Sequence, residues 1–230
     1  MFLFGTILWT PLILYPPMMQ DLQNYPEDLT GVFLALRGLG TLCGSTLLVF
    51  INKKLDPRFI LSVGFLLQGI AGFYMSHFDI NLSAFELAWT NSLAGLGVGF
   101  VWVPLTLITF NTLDKKFLNE ASAFWHLIRN IGSSISISIT IALVIRSTAI
   151  NYADLSSFIS IFGDSTSVMP LKGTTAPSGV ESLSGLSKEI VRQSEMIGYI
   201  NAFHLYYWIA FSIIPLVWLA PLKPQNKIGH

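Results

Sequence analysis

A chain of 230 residues and 25.5 kDa is long enough for one or two soluble domains, but only 11% of it is charged and 52% is hydrophobic, against about 25% charge in an ordinary soluble chain. The mean hydropathy of +0.60 excludes disorder, and the balance of 13 Lys+Arg against 13 Asp+Glu leaves no basic field to hold nucleic acid. One cysteine, Cys43, excludes an intrachain disulfide framework and any CxxC metal or redox site.

The composition predicts an all-α membrane protein. A hydrocarbon core of about 30 Å takes about 20 apolar residues of helix, and six such runs occur, at 2–20, 30–51, 59–78, 84–111, 120–146 and 199–221. The first opens MFLFGTILW, without the basic start or small-residue cleavage site of a signal peptide. It reads as a span broken by Pro11, Pro16 and Pro17. Because it enters the bilayer at once, residues are expected upstream of it. The second run carries Arg37, Gly40 and Gly44; the fourth carries Gly95, Gly99 and Pro104; the fifth carries His126, Arg129, Asn130, Gly132, Ser136 and Thr140. Residues 1–148 thus hold the first five helices. Residues 149–198 form an outer loop, with a flexible Gly/Ser/Thr/Pro-rich stretch at 163–185 and an amphipathic helix at 186–198. There Leu186, Ile190, Val191 and Ile197 recur at helical spacing, predicting a helix along the membrane surface. Residues 199–222 make the sixth span and 223–230 a cytoplasmic tail. Asn81-Leu82-Ser83 matches a glycosylation sequon and reads as a chance match.

Charge between the runs orients them. Lys53, Lys54, Arg58, Lys115, Lys116, Lys223 and Lys227 fall on one side. The short loops 21–29 and 79–83 of the other side have no Lys or Arg, and its long loop spreads Arg146, Lys172, Lys188 and Arg192 over some fifty residues. The positive-inside rule then puts both termini on the cytoplasmic side.

No HExxH, GxSxG, Walker A or calcium-loop motif is present, so neither an enzyme nor a metal or cofactor site is expected. The glycine pairs Gly40/Gly44 and Gly95/Gly99, with Gly132 and Ser136, have the spacing that lets helices approach closely in lipid, and Pro104 predicts a kink. Charge at membrane depth is costly and faces a cavity or a partner. Arg37, His126, Arg129 and Asn130 are therefore candidates to line a polar pathway or to tie carbonyls at helix breaks. No Asp or Glu stands near the middle of any run; Glu86 and Glu120 are at run ends.

Particular motifs add a resemblance. Gly95-Leu-Gly97-Val-Gly99-Phe-Val-Trp-Val-Pro104-Leu, then Asn119-Glu-Ala-Ser-Ala-Phe-Trp-His-Leu-Ile-Arg129-Asn130-Ile-Gly132, resembles the EmrB/QacA-type drug:proton antiporters of the major facilitator superfamily. Pro16 to Gln20 with Tyr25-Pro26, Ala35-Leu36-Arg37-Gly38-Leu39-Gly40-Thr41, and Arg192-Gln193 through Phe203 are similar to further motifs of that family, in the right order over essentially the whole chain. Two departures stand out. Leu36 replaces a frequent Pro. The loop 49–58 places Val49 and Lys53 where a conformational latch has Gly and Asp.

The resemblance implies the C-terminal six-helix half of a fourteen-span carrier. It implies a missing N-terminal half that supplies the proton-titrating carboxylate, a small apolar or cationic substrate, and a periplasmic adaptor as a further partner. Substrate would bind between two such bundles that rock against each other. The expectation is a component of a small-molecule efflux carrier in a bacterial inner membrane, inactive alone. The alternative is a six-span protein with a structural or partner-binding role.

Overall fold

The computed structural model describes residues 1–51, 56–110, 115–157 and 179–219. Six helices in it are long and apolar enough to cross a membrane, and no strand occurs among the described residues. In lipid each backbone N–H and C=O must be paired within its own segment, which makes long apolar runs helical. They are α1 (Phe2–Pro17), α2 (Glu27–Ile51), α3 (Pro57–Met75), α4 (Ala84–Phe110), α5 (Leu118–Ser157) and α6 (Gly179–Leu219).

Local chemistry sets several ends. Pro16 and Pro17 withhold two N–H donors at the end of α1, and the chain widens into a π turn over Met18–Leu22. Asn24 then takes φ 53°, a left-handed conformation that asparagine tolerates better than most residues. Pro57 opens α3 after Asp56, where its missing N–H removes no helical bond. The sequon serine proves structural: Ser83 Oγ accepts from Glu86 N at 3.2 Å while Glu86 Oε2 accepts from Ser83 N at 2.9 Å. This reciprocal capping box begins α4.

α2 packs on α4, α4 on α3, α3 on α6, α6 on α5 and α5 on α1, with α1 also touching α6. α1 is the most buried of the spans. At one end of the bundle Met1, Arg58, Ile108 and Leu216 converge on one cavity, and Arg58 Nη1 donates to Trp218 O at 3.5 Å. At the other, Gln23 Nε2 donates to Ile80 O at 2.6 Å and Arg192 Nε to Leu22 O at 3.1 Å. Consecutive helices therefore run in alternating directions. The outward faces carry exposed apolar side chains such as Leu42, Phe50, Ile135 and Ile145, as a lipid-facing surface does.

Two boundaries differ from the sequence reading. α5 continues past residue 146 to Ser157, with Arg146 on its exposed face. The 186–198 segment is not a separate surface helix, because it runs without interruption into the last span. Its C-terminal part packs on α5, while Val191 of the predicted apolar face stays exposed. Gly198 sits against Val144 O and Thr148 Oγ1 of α5, Asn201 Nδ2 donates to Ser147 Oγ at 2.6 Å, and Ser194 and Met196 are buried. Lys53, Lys54, Lys172, Lys223 and Lys227, loop residues 163–178 and the tail 223–230 lie outside the described residues.

Candidate functional site: a buried arginine and an apolar cavity

Arg37 stands near the middle of α2 and is only 6% exposed. Its Nη2 donates to Leu8 O of α1 at 3.1 Å, next to Ile7, whose carbonyl loses its helical donor at Pro11. That is the carbonyl-tying role read from the sequence. Its Nη1 is buried without a hydrogen-bond partner. Arg37 lines an open cavity of about 500 Å³ between α1, α2 and α4. Leu8, Leu12, Leu34, Val98 and Trp102 give the apolar walls, and Thr41 and Ser45 add hydroxyls; no Asp or Glu lines it.

The predicted glycines fix this arginine in place. The backbone of Arg37 lies directly on Gly95, and that of Thr41 on Gly99. From the other side, Gly40 rests on the backbone of Ser92, and Gly44 on Leu96 O. Thr41 Oγ1 donates to Arg37 O at 3.0 Å and to Gly95 O at 3.1 Å, stitching α2 to α4. Pro104 is buried further along α4, within continuous helix.

A second polar layer was not read from the sequence. Tyr15 Oη and Thr90 Oγ1 are 2.9 Å apart, joining α1 to α4. Tyr206 Oη donates to Gln68 Oε1 at 2.8 Å, joining α6 to α3. All four side chains are buried, as is Asn91, whose amide has no partner at either atom; Gln68 Nε2 also lacks one. Uncharged polar residues inside apolar runs were the available signal, and attention to ionisable groups alone passes over them.

Arg129 behaves differently from the expectation. Among the described residues its guanidinium bonds no carbonyl of a neighbouring helix. It lies over two indoles, Cζ being 5.5 Å from the ring centroid of Trp102 and 5.4 Å from that of Trp125, a cation–π arrangement. Its Nη2 donates to Asn130 Oδ1 at 3.4 Å, and Asn130 is exposed. The reason is helix rotation: it is the backbone carbonyl of Arg129 that meets α1, at Gly5, while the side chain turns toward α4. His126 is exposed and lies against Trp125, its own neighbour, not against Arg129. Gly132 and Ser136 do form the close α1–α5 contact: Gly132 lies on the backbone of Phe2, and Ser136 Oγ is 3.1 Å from Thr10 Oγ1 and 3.3 Å from Thr6 O. Trp102 links the two arginines, lining the Arg37 cavity and lying beneath Arg129.

Chemically the arrangement offers one fixed cation on an apolar wall. Among the described residues no group of three or more His, Cys, Asp or Glu is placed to hold a metal ion.

No protein-family model matches the chain. Over its whole length it is 24% identical to the multidrug export protein EmrB of Escherichia coli K12, covering 44% of that protein. It is 28% identical to the probable multidrug resistance protein EmrY of the same organism, over 91% of this chain and 41% of EmrY. The fatty acid resistance protein FarB of Neisseria gonorrhoeae is 22% identical over 98% of the chain and 43% of FarB. The chain thus spans less than half the length of the curated relatives it matches. It is homologous to EmrB/EmrY multidrug export proteins, which are transporters and not enzymes, and with six spans it is a multi-pass protein of the bacterial inner membrane.

Proposed function

We propose that this homologue of the multidrug export proteins works as the C-terminal six-helix half of a proton-coupled efflux carrier for small molecules. It is neither an enzyme nor an exporter alone. The observation that carries the reading is the mid-membrane cavity between α1, α2 and α4, about 500 Å³ with mostly apolar walls, in a chain whose relatives export drugs. In such a carrier, substrate binds between two half-bundles that rock against each other. This half contributes one wall. The other half supplies the titratable carboxylate in this reading: Glu86 and Glu120 stand in the first turns of α4 and α5, and Glu195 of α6 lies one turn from Arg192, which bonds Leu22 O at the end of the first span.

The cavity supports a small apolar substrate; a cationic one meets no carboxylate in its lining and faces Arg37 instead. The relative FarB is a fatty acid resistance protein, which suits a substrate with an apolar chain and a polar end. A periplasmic adaptor is a further partner that this reading implies.

The test is complementation in an efflux-deficient bacterial host. Expressed alone, the chain should leave drug accumulation unchanged; expressed with the N-terminal half of a relative such as EmrB, it should restore proton-gradient-dependent export. Export by the purified chain alone would refute the half-carrier reading. Failure of export with every N-terminal half tried, alongside normal insertion, would favour a structural or partner-binding role.

A further inference from the structure

We infer that His77 and His204 form a two-histidine site for a divalent transition-metal ion such as Zn²⁺, which ties the end of α3 to α6. The inference stands apart from the efflux reading and is independent of the cavity. His77 lies in the turn that follows α3 and is exposed; His204 lies within α6 and is half-buried. Their ring centres are 6.4 Å apart. In both rings Nδ1 is already engaged. His77 Nδ1 is 2.8 Å from Phe73 O, an acceptor only, so Nδ1 carries the proton of the neutral ring and Nε2 keeps the lone pair. His204 Nδ1 is 3.3 Å from Tyr207 Oη, a hydroxyl that can accept its proton in the same way. A ring N–H given to a backbone carbonyl or a similar acceptor is what fixes the tautomer of metal-ligating histidines.

The spacing suits one shared ion. With metal–nitrogen bonds of about 2.0–2.1 Å, the ion stands about 3.2 Å from each ring centre, so rings that share it have centres about 5–6.5 Å apart, depending on the angle at the metal. The observed 6.4 Å is at the wide end of that range. A tilt of the exposed His77 ring by about 1 Å brings it to a tetrahedral angle. Aromatic packing holds both rings near this position: Phe73 lies 4.5 Å from His77, and Tyr207 lies 5.9 Å from Phe73 and 5.4 Å from His204. Among the described residues no third His, Cys, Asp or Glu joins the pair, so water completes the ligand set. Imidazole nitrogen selects zinc, copper and nickel, whereas Mg²⁺ and Ca²⁺ take oxygen ligands.

The chain has four histidines, and His126→Ala with His230→Ala leaves only this pair. That full-length double variant, stripped with chelator in detergent, would be loaded with one equivalent of Cu²⁺, and pulsed electron paramagnetic resonance would count the imidazoles on the ion. Two are expected. Zn²⁺ added to the same stripped protein should raise its melting temperature by several degrees, because an ion held only by the folded pair stabilises it by mass action, while an equal concentration of Mg²⁺ should not. His77→Ala and His204→Ala should each weaken Zn²⁺ binding by at least about tenfold and leave a single imidazole on Cu²⁺. The imidazole count on the intact pair decides the matter even where a variant fails to fold. One imidazole or none on the intact pair, a Zn²⁺ shift that survives His77→Ala, or an equal shift from Mg²⁺ would overturn the site. Each readout is independent of transport, so the site can fail while export succeeds, or the reverse.

Discussion

Replacing Gly95 by alanine tests whether backbone contact sets the α2–α4 interface. A methyl group there would fall against the carbonyl oxygen of Arg37, with the carbonyl carbon 2.9 Å and the Cα 3.0 Å away. Ordinary contact begins at 3.4 Å, so α2 must retreat by at least about 0.5 Å. The atoms in the way are backbone and cannot rotate aside. A gap of that size forfeits about a quarter or more of each contact's dispersion energy across the interface, and overpacking of this kind costs about 1–3 kcal/mol. Alanine also gains about 1 kcal/mol of helix propensity over glycine, which would mask part of the loss. Gly38→Ala supplies the correction, because Gly38 lies one residue from Arg37 on the same helix and its methyl would meet nothing within 4 Å. The difference between the two variants isolates the steric cost, expected at about 1–3 kcal/mol and so a melting temperature lower by several degrees. Thermal unfolding of the chain in detergent, followed by tryptophan fluorescence, measures it. If Gly95→Ala melts at or above Gly38→Ala, the interface is not set by backbone contact and the clamping of Arg37 fails with it.

Three further outcomes are expected. Arg129→Ala should cost about 0.5–2 kcal/mol and alter the emission of Trp102 and Trp125, with Arg129→Lys recovering only part, because the stacked planar guanidinium is lost; unchanged emission would refute the stacking. Ser136→Ala removes the bonds to Thr10 and Thr6 and should cost about 0.6 kcal/mol, up to about 1.7, by the same unfolding assay; a double-mutant cycle with Thr10→Ala should show coupling, and strict additivity would mean that the hydroxyl pair contributes nothing. In a Cys43→Ser background, cysteines at the exposed Asp56 and Asp79 should label from opposite faces of the membrane, Asp56 from the cytoplasm; labelling of both from one face would overturn the orientation.

Periodic and compositional features were legible in the sequence. Six apolar runs correspond to six helices, and the paired glycines Gly40/Gly44 and Gly95/Gly99 do meet, because small residues one turn apart make a groove whatever the partner. What the sequence could not give were contacts between distant residues. Tyr15 with Thr90, and Tyr206 with Gln68, are 75 and 138 positions apart, and nothing local marks either pair. Gly5, which receives the Arg129 carbonyl, is one glycine in an apolar run without spacing to announce it. The side chain of Arg129 went to Trp102 because helix rotation, fixed by the Gly132 contact, decided which neighbour it met. The lengths of α5 and α6 were missed for another reason. Hydropathy ends a span where apolar character ends, but the helix persists wherever a neighbouring helix covers it, as α5 and α6 do for each other around Ser147 and Asn201.

The contacts of Gly40, Gly44, Gly95 and Gly99 form an interlock between two screws. Each glycine admits the opposing main chain at one level, and the four levels alternate between α2 and α4. Sliding one helix by a single residue, about 1.5 Å, would carry each glycine off the main chain it admits. The two helices can therefore neither slip nor turn against each other without first coming apart. A movement that keeps these contacts carries the two helices as a single body, and the backbone of Arg37 travels with it.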